Sequence, residues 1–269
     1  MIAYLLCAGF GTRMRPLTAD TPKSLLPVAG RPILDYLLDN LRRWNALDAI
    51  HVAVNHRDAD AFRTWAADRR DTLADDGVAL TIHDDGVSSP DEQLGAVGDL
   101  RFLLEHAGPP PDGALVSGGD SLYRFPLSPI LNAFDGGTSR VLALHEPDPQ
   151  RRRKSSVLTL DGDRVTGLTE DPSDGEHICP SWHLLTPSAL AAVDPYLRTG
   201  RDPDTLGTFL HVVAQRERVE AVRLPEREGL RLHCNTPEDL ERARTLLETD
   251  PRHLLDAEAV RQFLPQREP

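Results

Sequence analysis

The chain contains little cysteine, almost no lysine and no long apolar run. Its three cysteines, Cys7, Cys179 and Cys234, are odd in number and far apart. That pattern excludes a disulfide framework and a cysteine metal cluster, and it suits a reducing cytoplasm. No segment comes near the 18 or so consecutive apolar residues that a membrane span needs. The opening MIAYLLCAGFGTRM lacks the positive start and longer apolar core of a secretory leader. Net charge is −12, from 42 acidic and 30 basic residues. A chain this acidic is poorly suited to sequence-independent nucleic-acid binding, which needs a basic face. A small anionic ligand remains compatible, because local cations can outweigh a distant negative surface. Only Lys23 and Lys154 are lysines; every other basic residue is arginine. The two side chains are not physically equivalent, so these two positions merit inspection.

The first half alternates short apolar runs with amphipathic ones. Strands are expected at 2–6, 49–55, 78–83, 113–118 and 139–147, and helices at 33–43, 58–70, 95–106 and 126–134. Strands and helices alternating at this length indicate βαβ units and a mostly parallel sheet. After about residue 147 the pattern changes. SSVLTLDGDRVTGLTED reads as a hairpin around Asp161-Gly162-Asp163. A strand is expected at 178–185, a helix at 187–197, and late strands at 219–224 and 229–234. Thr236 followed by Pro237-Glu238-Asp239 is a helix start, with a capping hydroxyl, Pro at the first helical position and acids in the first turn. The expectation is one domain over 1–250, followed by a helical tail at 251–269. Its fold class is α/β, a mostly parallel sheet flanked by helices, with a smaller antiparallel lobe.

The informative segment is LLCAGFGTRMRPLTADTPKSLLPVAGRP, residues 5–32. A buried strand runs into Ala8-Gly9-Phe10-Gly11-Thr12-Arg13. Glycines at a strand's C-terminal end let backbone N–H groups approach an anion. The GxxxxGK[ST] phosphate loop is absent, and the third glycine of a dinucleotide fingerprint is replaced by Met14. Instead the segment carries Arg13, Arg15 and Lys23, a set of cations better matched to a triphosphate than to a dinucleotide.

AGFGTRMRPLTADTPKSLLPVAGRPILDY resembles the signature of the sugar-1-phosphate nucleotidylyltransferases, roughly AGxGTRLxPLTxxxPKxLLPVxGxPLI. Weaker similarities follow in the family's order: VNHRDADAF (54–62), EQLGAVGDL (92–100), SGGDSLY (117–123), VTGLTEDP (165–172) and CNTPEDL (234–240). The resemblance implies a Rossmann-like mixed sheet, and transfer of a nucleotidyl group from an NTP to a sugar 1-phosphate with release of pyrophosphate. It implies an NTP-binding part at 1–147 and an acceptor-binding part at 148–250. An anionic phosphate oxygen needs no general base, so such catalysis rests on positioning and charge neutralisation.

By that resemblance Ala8, Gly9, Gly11, Thr12, Arg13, Gln93 and Gly95 bind the nucleotide, with Arg13 on its outer phosphates. Lys23 lies between the α-phosphate and the incoming phosphate, where a compact ammonium bridges two anions better than a planar guanidinium. Asp120 of the Gly119-Asp120 pair holds Mg²⁺. The second metal ligand is open between His233 and Asn235, with Asn235 favoured because Mg²⁺ prefers oxygen. Glu170 and Ser181 face the acceptor. The chain departs most here: the family's Glu-Lys-Pro reads Glu170-Asp171-Pro172, and Gly-Ile-Tyr reads Ser181-Trp182-His183. Either Lys154 or an arginine among 151–153 replaces the lost lysine, or the acceptor is unusual. Two alternatives follow: a cytidylyltransferase acting on a small alcohol phosphate, and a non-catalytic nucleotide-sugar-binding regulatory protein. The expected partners are an NTP and a sugar 1-phosphate, with no nucleic acid and no membrane; a homo-oligomer stays open.

Overall fold

The structure, a computed structural model, describes residues 1–153, 155–169 and 175–265. A ten-stranded mixed sheet runs through the molecule. Its strands in chain order are β1 (Ile2–Leu6), β2 (Ala49–Val54), β3 (Ala79–Asp84), β4 (Ala114–Gly118), β5 (Ser139–His145), β6 (Ser156–Asp161), β7 (Arg164–Thr169), β8 (His177–Cys179), β9 (Trp182–Leu185) and β10 (Val219–Arg223). The spatial order is β8-β6-β7-β10-β5-β9-β4-β1-β2-β3. The half of the sheet built from β1, β2, β3 and β4 is parallel. From β9 onward antiparallel pairs dominate, with β10 beside β5 the parallel exception. The antiparallel part thus continues the same sheet.

Side-chain alternation along β1 shows why the sheet needs two covers. Ala3 and Leu5 enter one core with Leu34, Leu37, Phe62 and Trp65, from helices α1 (Ile33–Leu41) and α2 (Ala59–Asp75). Tyr4 points to the other face, into a core with Val97, Leu100 and Phe209, from α3 (Ala96–Ala107) and α4 (Leu206–Ala214). Period-2 strands buried on both faces read as continuous apolar runs, as IAYLL does.

Three departures from the expected elements have physical causes. The 178–185 run is divided into β8 and β9 at Pro180-Ser181, where proline has no N–H for a ladder bond. The 187–197 helix is two short ones, Pro187–Ala191 and Val193–Arg198; Pro195 has no N–H to offer the Ala191 carbonyl. The strand expected at 229–234 forms at Arg231–His233 but leaves the main sheet, pairing antiparallel with Ser121–Tyr123. Helix α4 was not expected at all. Helix α5 (Pro237–Thr249) starts as the sequence indicates, with Thr236 and Asp239 forming a reciprocal capping box. In the tail, the short helix Ala257–Arg261 packs on the helix Ser128–Asn132, burying Val260 in the first core. No helix among the described residues is long and apolar enough to cross a membrane.

Candidate active site

Two adjoining cavities open at the C-terminal ends of β1 and β4, the position where α/β sheets bind ligands. The smaller, of about 340 Å³, is lined by Gly9, Gly11, Thr12, Arg13, Lys23 and Asn235 among others. The larger, of about 480 Å³, includes Ala8, Gly95, Ser181, Arg231 and His233 in its wall. Gly9, Gln93 and Asp120 line both. Every residue assigned from the sequence to the nucleotide, the acceptor or the metal and lying within the described residues therefore reaches one cavity or the other. Arg15 and the arginines 151–153, expected as further cations, line neither: Arg151 faces Glu146 and Asp148, and Arg152 donates to the Glu146 and Pro147 carbonyls. Glu170, Asp171 and Lys154 lie outside the described residues.

The glycine-rich loop leaves β1 and turns through Gly11 in the left-handed region, φ 61°. A short 3-10 turn at Thr12–Met14 follows. Met14 is fully buried beneath the loop, while Arg13 stays exposed. Two residues the sequence reading did not single out hold the loop in place. Asn55 donates to the Ala8 carbonyl at 3.0 Å, and Arg57 reaches the Phe10 carbonyl while stacking on the Phe10 ring. A close approach fixes the second loop. A Cβ on Gly119 would stand 2.6 Å from Cys7 Sγ and 2.7 Å from Ser24 Oγ, so only glycine lets the turn into Asp120 pack on the first loop.

Residues far apart in sequence meet at the junction of the cavities. Lys23 Nζ donates to Asp120 Oδ2 at 2.7 Å and to Asn235 Oδ1 at 2.9 Å. His233 Nε2 lies 3.2 Å from the same Asp120 oxygen. Ser121 Oγ donates to Asp120 Oδ1 at 3.3 Å, and Arg231 Nε donates to Ser121 Oγ at 3.0 Å. Burial would raise the Asp120 carboxyl, but His233, Lys23 and Arg231 together hold it well below the usual carboxylate range. It is an anion at neutral pH. Burial pushes the His233 imidazole down, and Arg231 adds to this against the pull of Asp120. Of the two candidates for a second oxygen or nitrogen donor, Asn235 shares the lysine with Asp120, whereas His233 contacts Asp120 itself.

No nucleophilic catalysis suggests itself. All three thiols are buried, and burial pushes each up to about 12, so they stay protonated. His183, in the wall of the larger cavity, is pushed down to about 3 by burial and is neutral. A second group the sequence reading passed over is Asp99, in the first turn of α3. It is 7% exposed, lines the larger cavity, and leaves Oδ1 without a hydrogen-bond partner among the described residues.

Comparison with known proteins gives one consistent result. Residues 2–196 match the nucleotidyl transferase family profile. The chain is 26% identical over 206 residues to a probable mannose-1-phosphate guanylyltransferase 2 of Oryza sativa, covering 72% of this chain and 52% of that protein. It is 24% identical over 255 residues to the UTP–glucose-1-phosphate uridylyltransferase AglF of Haloferax volcanii, covering 93% of this chain and 98% of the relative. The chain thus spans about half the length of the rice protein. Its fold superposes on a putative glucose-1-phosphate thymidylyltransferase from Bacillus anthracis with a TM-score of 0.75 at 17% identity, covering 91% of this chain and 95% of the other. A UDP-glucose pyrophosphorylase in complex with UDP-glucose superposes with a TM-score of 0.73 at 16% identity, covering 93% and 99%.

Proposed function

Because the chain belongs to the nucleotidyl transferase family, we propose that it transfers a nucleotidyl group from an NTP to a sugar 1-phosphate. An oxygen of the sugar phosphate attacks the α-phosphorus, the bond to the β-phosphate oxygen breaks, and pyrophosphate leaves. No proton need move, which accords with the protonated, buried thiols and the neutral His183 found among the described residues of the site.

The observation that carries this reading is the convergence of Lys23, Asp120 and Asn235 at the meeting point of two cavities, with Arg13 on the outer side of one. Two polyanions must be brought together in line, and the residues present are a fixed ammonium, a guanidinium and oxygen donors. Arg13 takes the outer phosphates of the NTP. Lys23 sits between the reacting phosphates and neutralises both.

The residues also fit Mg²⁺. Asp120 Oδ2 and Asn235 Oδ1 already converge on one cation, the Lys23 ammonium, and both are hard oxygen donors of the kind Mg²⁺ selects. In this reading Asp120 and Asn235 hold the metal, and its charge, when bound, stabilises the phosphate oxygens. With the metal on these two side chains, the Lys23 ammonium would be left to the phosphates.

The test is a pyrophosphate-release screen with Mg²⁺ present. It pairs each NTP with mannose 1-phosphate, glucose 1-phosphate and small alcohol phosphates. GTP with mannose 1-phosphate and UTP with glucose 1-phosphate come first, after the names of the two relatives. Release with a sugar 1-phosphate supports the reading. Release only with an alcohol phosphate replaces the acceptor. Silence with every pair overturns the catalytic role.

A further inference from the structure

The two cavities carry different charges. The smaller has Arg13 and Lys23 in its wall. The larger has Asp85, Asp99, Asp120 and Asp204, and a single lysine or arginine among the described residues, Arg231. An acceptor phosphate has to enter this acidic space, next to the point where Lys23 and Asp120 meet. We propose that Arg231 is the residue that receives the phosphate of the acceptor, on the side of the junction opposite Arg13. The assignment rests on the transfer reaction proposed above.

The side chain is built for this. It projects from the ribbon strand Arg231–His233, whose ladder to Ser121–Tyr123 fixes the Cα beside the Asp120 loop. Nε is anchored on Ser121 Oγ, and Ser121 is anchored on Asp120. Among the described residues neither Nη1 nor Nη2 has a hydrogen-bond partner, and Arg231 forms no ion pair. Half of the guanidinium is thus locked and the other half has donors to spare. A planar fork with free donors matches two oxygens of one phosphate, which a point charge cannot do. Linked to Asp120 through one serine, the guanidinium borders the junction without occupying the carboxylate's own oxygens. Lys23 is already committed to the junction, so Arg231 supplies the second cation a dianionic nucleophile requires.

The test separates binding from turnover. Arg231→Gln and Arg231→Lys are assayed by steady-state pyrophosphate release, and by calorimetric binding of GDP-mannose and UDP-glucose against GMP and UMP. Hydrogen bonds to a charged group set the scale: Arg231→Gln should raise the acceptor KM about 10- to 100-fold. It should leave the NTP KM within about twofold, since the nucleotide is held elsewhere. Affinity for the nucleotide sugar should fall by the same factor, while nucleoside monophosphate affinity holds, because only the sugar nucleotide carries the second phosphate. Arg231→Lys should restore part of the loss. If Arg231→Gln does not fold, the lysine variant carries the test, and its acceptor KM must still rise several-fold. Unchanged acceptor KM and unchanged nucleotide-sugar affinity, or an equal loss for nucleotide and acceptor, overturn the proposal. If the unaltered protein turns over no pair yet binds nucleotide sugar in an Arg231-dependent way, the catalytic reading falls and the phosphate site stands.

Discussion

Asp99 offers a direct test of the electrostatics in the larger cavity. Burial, reinforced by repulsion from Asp85 just beyond β3 and from Asp204, raises its carboxyl to about 7 from the ordinary 3.8. Cys7, the other titratable neighbour it influences, is protonated and brings no compensating charge. That difference corresponds to about 4 kcal/mol between the two protonation states, an upper bound for what Asp99 contributes to stability. The sign follows from which form the fold prefers. The folded chain favours the protonated acid, so the stabilisation is fully present below about pH 4 and is lost as pH rises through about 7. Asp99→Asn keeps the shape and cannot ionise. The variant should therefore match the unaltered protein near pH 4 and exceed its unfolding free energy by up to about 4 kcal/mol at pH 8. Urea unfolding followed by fluorescence of the buried Trp44, Trp65 and Trp182 measures the difference at each pH. Other titrating groups cancel in the comparison. A difference that stays flat from pH 4 to pH 8 refutes the argument, since Asp99 would then ionise as an exposed carboxylate does.

Three further outcomes are expected. Replacing Lys23 by arginine should be nearly as damaging as replacing it by alanine, with kcat of pyrophosphate release down by about 10²–10³-fold; near-normal kcat in Lys23→Arg would make it a generic cation. Asp120→Asn should abolish turnover at any Mg²⁺ concentration yet melt close to the unaltered protein; full activity would remove Asp120 from the mechanism. Gly95→Ala should destabilise the chain by about 1–3 kcal/mol in a thermal melt. Its φ of +78° disfavours any side chain, and the added Cβ would lie 2.6 Å from the Pro203 carbonyl oxygen.

What the sequence displayed was local. The strand-to-loop run from Leu5 to Arg13, the lysine after Pro22 and the aspartate after Gly119 each sit in short segments whose chemistry depends on immediate neighbours. The capping box of α5 is legible for the same reason. Arg231, Asp99, Asn55 and Arg57 are different. Asn55, Arg57 and Asp99 lie in segments with only weak similarity to the family and Arg231 stands two residues before His233, but nothing in those segments singles these side chains out; they reach the site because distant strands pair or helices pack. Helix α4 escaped because LGTFLHVVA is short and mostly apolar, leaving no polar face to set a period, and because Gly207 argues locally against a helix. The choice between His233 and Asn235 was open in sequence because their neighbours do not say which side chain turns toward Asp120. In the structure Asn235 Oδ1 joins Asp120 at the Lys23 ammonium, while His233 contacts Asp120 itself.

The ribbon between Ser121–Tyr123 and Arg231–His233 has a consequence for how this site can diverge. The Cys234 amide donates to the Asp120 carbonyl at 2.9 Å, and the ladder before it is likewise main chain to main chain. The spacing between Asp120 and Asn235 is therefore set by peptide groups, which every residue but proline supplies in identical form. Side chains at 231 and 233 can be exchanged without moving the frame that holds the two oxygens. What such exchanges alter is the charge and hydrogen bonding offered to the Asp120 side chain, since His233 contacts its carboxylate and Arg231 reaches it through Ser121. The main-chain spacing of the site is in this way adjustable independently of its electrostatics, although one strand carries both.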